Sequence, residues 1–387
     1  MQRRHLLGAG AAALASSPPH AHALDFAPRP APATIRADVD RLVDIAVGIR
    51  PFRARGPRIE AERRFGKTLV HHYGHGGSGW SLSWGSAQRA LALIQGAGVK
   101  PGERIAVIGC GAIGLTTART AQQAGFKVRL YSRDRPPRVH SSAATGLWTP
   151  DSRIVTAEHA SDDWIGGWEA MARASFKVHQ SYLGLPSGPV EWHDGYLLAD
   201  DGFDTPLPGH VGEPDYPDLA QRIADLRPHG KALAAGEHPF RTPHARRFTQ
   251  LVFNIPAYQR LLLDDFARDG GELVQRDLRE PRDFARLPER IVVNCTGDGA
   301  RKLLGDTSLT PVRGQTARLI PQPEVDYALI YRGHNLVVVP RRDGLLVAAM
   351  GEDDYGNDDL RPDRAQSEDA VRRLAALFQP GAAQAAG

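Results

Sequence analysis

Only two cysteines, Cys110 and Cys295, and three methionines occur in 387 residues, so a disulfide-built miniprotein is excluded. Both cysteines sit in apolar stretches flanked by glycine, and that setting predicts buried thiols rather than a disulfide. Charge of one sign is also scarce. The balance of 48 Lys and Arg against 44 Asp and Glu is spread along the chain, without the basic stripe that follows a phosphate backbone. Nucleic acid is excluded as a partner on that ground. Long apolar runs are missing too: the longest near the N-terminus, Leu6–Leu14, has nine residues where a bilayer core needs roughly 20. No stable membrane insertion is expected.

Arg3 and Arg4 ahead of that short run, with Ala21-His22-Ala23 after it, read as a removable export signal over residues 1–23. The paired arginines resemble a twin-arginine signal, which carries folded proteins across the inner membrane and implies a periplasmic destination. Pro28, Pro30 and Pro32 make residues 24–38 a linker, with order beginning near Val39.

What is abundant is glycine, 40 residues, with 29 prolines, in a chain that is 42% hydrophobic. Length and composition together predict a loop-rich globular α/β protein of two or three lobes. Patterning predicts a strand at Thr68–Tyr73, a helix at Trp84–Gln95 and a βαβ unit from Arg104–Gly109, Ala112–Ala124 and Lys127–Ser132. A long helix follows at Asp162–Tyr182, then a hairpin at Pro189–Asp200 turning on Asp194-Gly195. Beyond it come a helix at Tyr258–Arg268, strands at Glu272–Gln275 and Arg290–Asn294, and a mixed sheet from Arg313–Ile320, Asn335–Pro340 and Leu345–Met350. Helical spacing returns at Ser367–Phe378.

Inside the βαβ unit, Gly109-Cys110-Gly111-Ala112-Ile113-Gly114 fits Gly-x-Gly-x-x-Gly at the strand-to-helix turn. Glycines there permit the tight turn and bring backbone N–H groups and a helix N-terminus against a pyrophosphate. The second strand closes on Ser132-Arg133-Asp134, where Asp134 is the candidate for ribose hydroxyls and Arg133 with Arg135 the alternative readers of a 2′-phosphate. Spacing leaves flavin and nicotinamide both open. His71, His72 and His75 could be read as a metal cluster, but no carboxylate or further His lies at helical ligand spacing, and no metal is expected.

Several segments resemble the D-amino-acid oxidase branch of the FAD-dependent oxidoreductases. They are Ala144-Thr145-Gly146-Leu147-Trp148-Thr149-Pro150, Val293-Asn294-Cys295-Thr296-Gly297 and Arg313-Gly314-Gln315, together with Gly48-Ile49-Arg50-Pro51-Phe52-Arg53 and His72-Tyr73-Gly74-His75-Gly76-Gly77-Ser78-Gly79. The resemblance implies FAD as cofactor, a Rossmann-like FAD domain (99–160 and 290–315) and a mixed-sheet substrate domain (161–289, with a return to the FAD domain near 248–289, and 316–380). The substrate it implies is a D-amino acid or related amine, with dioxygen or a respiratory carrier taking the electrons. It implies Arg50 as the carboxylate clamp, the Gly77 carbonyl as acceptor for the amine N–H, and Gly76, Ser78, Gly79, Trp80 and Ser81 beside the flavin. By the same resemblance Ser141, Ser142, Thr145, Gly146, Leu147, Thr296 and Gly297 run along FAD, and Tyr258 or Tyr355 supplies the tyrosine the family places over its substrate. Extra arginines, Arg246 and Arg247, suggest an acidic substrate.

In that family the arginine and glycine-loop segments come near the C-terminus, whereas here they precede the nucleotide turn, so residues 39–98 read as a circularly permuted piece. Val39 and Phe378 are then expected close together. Two other readings compete: a non-catalytic flavin binder, and a serine hydrolase using His75-Gly76-Gly77 as an oxyanion loop, which lacks a Gly-x-Ser-x-Gly nucleophile turn.

Overall fold

The computed structural model describes residues 31–205, 212–349, 351 and 353–378; the export signal expected at 1–23 and the 381–387 tail lie outside them. In chain order the strands are β1 Leu42–Arg53, β2 Arg58–Arg64, β3 Lys67–Tyr73, β4 Arg104–Ile108, β5 Lys127–Ser132, β6 Val190–Ala199 and β7 Lys231–Leu233. They continue as β8 His244–Phe253, β9 Glu272–Gln275, β10 Ile291–Asn294, β11 Leu309–Leu319, β12 Tyr327–Tyr331, β13 Leu336–Arg341 and β14 Gly344–Ala349. The helices are α1 Gly79–Gly96, α2 Ala112–Gln123, α3 Asp162–Gln180, α4 Ile255–Arg268, α5 Arg282–Ala285, α6 Gly299–Leu304 and α7 Arg364–Ala376.

Two sheets organise these elements. A six-stranded sheet has the order β2-β3-β10-β4-β5-β9, parallel throughout except for β2, and an eight-stranded mixed sheet has the order β1-β11-β14-β13-β12-β6-β8-β7. The parallel strands are apolar runs because helices cover both faces. Ile105, Val107, Val128, Leu130, Ile291 and Val293 pack against α1, α2 and α4 in the largest core, while Ala106, Ile108 and Val292 face a smaller cluster around Phe284 and Leu303.

The N-terminal segment divides between the sheets. β1 pairs antiparallel with β11 from Leu42↔Leu319 to Arg53↔Leu309, and β3 lies parallel beside β10. Val39 and Phe378 pack on one apolar cluster built on Leu198, Tyr327, Leu345 and Leu374.

Three expectations change. The 24–38 segment is not a free linker throughout: Ile35 is buried in that same cluster, and the Ala33 carbonyl accepts a 2.6 Å hydrogen bond from Tyr327 Oη. Asp194-Gly195 does not turn. β6 runs straight through it, paired with β8 from Val190↔Phe253 to Ala199↔His244, and Gly195 is bare because a Cβ there would stand 2.4 Å from the Phe248 ring. Helix α1 starts at Gly79, five residues before the expected Trp84.

Candidate active site

All five parallel strands of the six-stranded sheet open into one cleft of about 700 Å³. β4 delivers Gly109–Ile113, β5 delivers Ser132–Asp134, and β10 delivers Cys295–Gly297. From β9 come Arg276–Arg279, and from β3 the loop Gly74–Gly77 with Gly79 and Trp80. A doubly wound sheet gathers ligands at the carboxyl ends of its strands, because there the backbone N–H groups and helix N-termini are left without partners.

The nucleotide turn is built as its glycines predict. A Cβ on Gly114 would lie 1.9 Å from the Gly109 carbonyl, and one on Gly109, whose φ is +108°, would lie 2.5 Å from the Cys295 carbonyl. Both must be glycine for α2 to approach β4 and β10 so closely. At the helix start the Ala112 N–H donates to Ser141 Oγ at 3.0 Å, so the amides that would meet a phosphate face the cleft with a hydroxyl among them.

The other end of the cleft carries Arg50. Its β1 strand lies at the edge of the larger sheet and packs against the turn His140–Ala143, whose His140 carbonyl leaves no room for a Cβ on Gly48. Arg50 Nη1 donates to the Arg313 carbonyl at 2.8 Å, and its guanidinium crosses the place where a Gly314 side chain would stand, 2.4 Å from that Cβ position. Among the described residues no carboxylate forms an ion pair with Arg50, because Asp354 is taken by Arg313 and Glu213 by Arg153. Burial, reinforced by the Arg153 charge, pushes the Arg50 guanidinium down to about 10. The Asp354 and Glu213 charges oppose that shift without forming an ion pair with Arg50.

The glycine loop lines the same cleft. The Gly77 N–H donates to the Ser152 carbonyl at 3.0 Å, and any Cβ on Gly76 would meet the Arg153 carbonyl at 1.8 Å. His75, 2% exposed and on the cleft wall, has no hydrogen-bond partner at either ring nitrogen, and burial pushes it down to about 3, so it is neutral. Beside it, 5.2 Å between ring centroids, His72 shares a 2.9 Å hydrogen bond with Thr117 Oγ1 and leaves Nε2 without a partner. Buried donors without partners facing a cavity mark where a ligand's polar atoms would lie. Both cysteines are free and buried, and desolvation pushes each thiol up to about 12.

Several expected site residues stand elsewhere. Tyr258 does not line the cleft: it is fully buried behind Trp80, where its hydroxyl accepts a 2.7 Å hydrogen bond from Trp84 Nε1 and meets His179 Nδ1 at 3.2 Å. Ser142 bonds Gln259, Ser78 bonds the Ser152 carbonyl, and Ser81 Oγ accepts from the Thr149 N–H. These, with Thr145, Gly146 and Leu147, are not among the residues lining the cleft, to which this stretch contributes Ser141, Ala143 and Ala144. Gly114 acts through packing, as above. Arg246 and Arg247 lie on β8 away from the cleft, Arg246 over the Phe203 ring. Conversely, Arg138, His140, Arg276, Arg279 and Lys302 line the cleft without having been anticipated. Arg276 and Arg279 follow directly on β9, and the strand-end rule would have found them.

A cleft of this size, a glycine cradle at a helix start and polar groups without partners along its floor fit a dinucleotide, and this arrangement defines a dinucleotide-dependent oxidoreductase. The residues that would hold the cofactor are the Gly109–Ile113 turn, Ser132–Asp134, Ser141, Thr296, Gly297, Gly76, Gly77, Gly79 and Trp80. Comparison with known proteins makes the class specific. The family model for FAD dependent oxidoreductases (DAO) matches residues 104–386, and the chain belongs to that family. It is 28% identical over 277 residues to a D-amino-acid oxidase of Rubrobacter xylanophilus, covering 71% of this chain and 77% of the relative. With a D-amino-acid oxidase of Streptomyces coelicolor it shares 29% identity over 278 residues, 70% of this chain and 77% of the relative. Among solved structures an L-amino acid deaminase from Proteus vulgaris aligns with a TM-score of 0.47 at 12% identity, over 72% of this chain and 75% of that one. FAD is the cofactor, and the protein is an FAD-dependent oxidoreductase.

Proposed function

We propose that this enzyme oxidises the Cα–N bond of a D-amino acid, giving an imine that water hydrolyses to a 2-oxo acid and ammonia. The observation that carries the reading is Arg50: a guanidinium without an ion-pair partner among the described residues, in the same cleft as the dinucleotide turn and the glycine loop. Its planar fork suits a carboxylate held in two places at once. With the carboxylate fixed there, the Gly77 carbonyl is the group assigned to the amine N–H, and the two contacts orient the Cα–H. FAD, when bound, supplies the hydride acceptor, so no acid or base of the protein is needed for the redox step. Purified protein mixed anaerobically with D- and L-amino acids tests this. Bleaching of the yellow colour by one hand only is expected, and a flavin inert to both hands overturns the reading. Repeating the measurement in air, with peroxide assayed, identifies dioxygen or another carrier as the electron acceptor.

The same proposal takes the chain as circularly permuted. In support, the family match begins at Arg104, the first residue of β4, while Arg50 and the glycine loop precede it. Val39 and Phe378, the expected old junction, share one apolar cluster. We also place the protein in the periplasm, on the strength of Arg3-Arg4 and the Leu6–Leu14 run; fractionation of cells after Arg3→Lys and Arg4→Lys together checks it. Among the described residues no helix is long and apolar enough to cross a membrane.

A further inference from the structure

Strand β1, which carries Arg50, has a partner strand on one flank only: β11 pairs with it, and the other flank is the edge of the sheet. Ile49 opposes Arg313 there with both N–H groups turned outward, as in alternate pairs of an antiparallel ladder. The Arg313 N–H donates to the Asp354 carbonyl at 2.8 Å, and the Ile49 N–H donates to His140 Nδ1 at 3.3 Å. Ile49 is 5% exposed, and a buried main-chain donor needs a partner. A backbone N–H can only donate, so Nδ1 must be the bare nitrogen of a neutral ring, with the hydrogen on Nε2. Protonating the imidazole puts a hydrogen on Nδ1 and sets two donors against each other. Ile49 and His140 both line the cleft.

The turn that carries His140 is itself fixed. Ser141 accepts from the Ala112 N–H through its hydroxyl at 3.0 Å and from Trp80 Nε1 through its carbonyl at 2.9 Å, and the Ala143 carbonyl accepts from Thr316 Oγ1 at 3.0 Å. His140 thus joins an anchored part of the nucleotide cradle to the residue immediately before the clamp arginine. The charges acting on its ring are Asp298 after β10 and Arg133 and Asp134 after β5. Desolvation, the largest influence, holds the imidazole below the usual histidine range, helped by Arg133 and opposed by the two aspartates. Of the strands packed against the turn, β1 brings Asp44, Arg50 and Arg53 and β11 brings Arg313 and Arg318; Arg138 lies in the same segment as the turn. At neutral pH the ring is neutral, the state the Ile49 contact needs.

We propose that His140 is a positioning residue: through a bare Nδ1 it holds Ile49, and with it Arg50, in the geometry that receives the substrate carboxylate, and a proton on the ring releases that hold. The inference rests on the reading of Arg50 as the carboxylate clamp and deepens it. Carboxylate binding then weakens on the acid side of neutrality although Arg50 keeps its charge there.

The test uses the FAD-loaded full chain, its variants His140→Asn and His140→Leu, and propionate as the probe. Kd is read from the shift of the flavin absorption band between about pH 8 and about pH 5, a range that brackets histidine titration. Asparagine places a carbonyl oxygen where Nδ1 stands and does not titrate, whereas leucine accepts nothing. Protonation of propionate itself is common to all the proteins and cancels in their ratios. Parent and asparagine variant should bind alike at the upper pH, and the ratio of parent to asparagine Kd should rise more than about twofold on the way to the lower one. The leucine variant should bind about fivefold more weakly than the parent at the upper pH, the size of one hydrogen bond, with a ratio to the asparagine variant that pH does not change. A parent-to-asparagine ratio constant within about twofold across the range, or asparagine and leucine variants that bind alike, overturns the proposal. If no D-amino acid bleaches the flavin, the reaction assigned above fails by itself, and the propionate titrations still decide the role of His140. Should the leucine variant lose its fold, the parent and asparagine proteins decide alone.

Discussion

Arg50 donates a hydrogen bond of 2.8 Å to the main-chain carbonyl of Arg313, and the Arg313 side chain is itself buried against Asp354 and the carbonyls of Asp359 and Arg361. One arginine is thus aimed by the backbone of another, whose own position is fixed by a loop 40 or more residues further on. The first guanidinium keeps its remaining donors for a ligand.

A consequence concerns pH. Burial lowers the folded-state proton affinity of Arg50 from its ordinary value to about 10, so its charge penalises the folded state at every pH below about 10, and the penalty fades between there and the unfolded value. Affinity for a carboxylate such as propionate should fall as pH rises past about 10, the bound anion itself moving the transition upward. Arg50→Met should bind propionate about 100-fold more weakly at neutral pH, roughly 3 kcal/mol for a charged hydrogen-bonded pair, yet unfold at a higher temperature than the parent. Ligand titration and calorimetry on one preparation check both signs.

Gly314→Ala should disturb the site without disturbing the cofactor. A methyl group there stands 2.4 Å from Arg50 Nη1, so the guanidinium must swing away from the Arg313 carbonyl. Flavin content should be unchanged while KM for the amino acid rises at least tenfold. Equal loss of flavin and of substrate binding would show that the backbone, rather than the arginine, had given way.

His75→Leu separates folding from cofactor binding. An imidazole with both nitrogens buried and without partners costs the apo-protein stability, and leucine relieves that cost. If those nitrogens serve FAD, the variant should melt at a higher temperature than the parent without FAD and bind FAD more weakly. Thermal melts with and without FAD, together with equilibrium dialysis, read the two effects.

Tyr258→Phe should act on stability alone. The Tyr258 hydroxyl accepts from Trp84 and donates to His179 Nδ1, and the His179 Nε2 hydrogen then goes to the Trp80 carbonyl at 3.2 Å. Deleting the oxygen leaves a buried indole N–H and an imidazole nitrogen without partners, a cost of about 1–3 kcal/mol. kcat should remain within about twofold of the parent, since Tyr258 lies behind Trp80 rather than in the cleft.

Elements whose residues obey one local rule were legible in the sequence. β5 and β9 occur at the expected residues, and the turn from Gly109 to Gly114 adopts the geometry its glycines require, because strand burial and helix approach are short-range demands. Illegible features depend on a partner distant in the chain. Gly195 looks like a turn residue until Phe248 is seen across the sheet, and Tyr258 looks like a pocket hydroxyl until Trp84 and His179 claim it. Arg153 and Glu213 carry no motif, and only the fold brings them beside β1. Arg50 itself was recognisable through its neighbours, Ile49 and Pro51 to Arg53, rather than through any property of an arginine.

The contact between Arg50 and Arg313 spans 263 positions of sequence. A ribosome must therefore have made most of the polypeptide before that contact exists, whereas β4, α2 and β5 fall within 29 consecutive residues and can condense early. Synthesis in this order exposes a nucleotide cradle first and a working pocket last, so an unfinished chain can be primed for its coenzyme while still unable to turn over an amino acid.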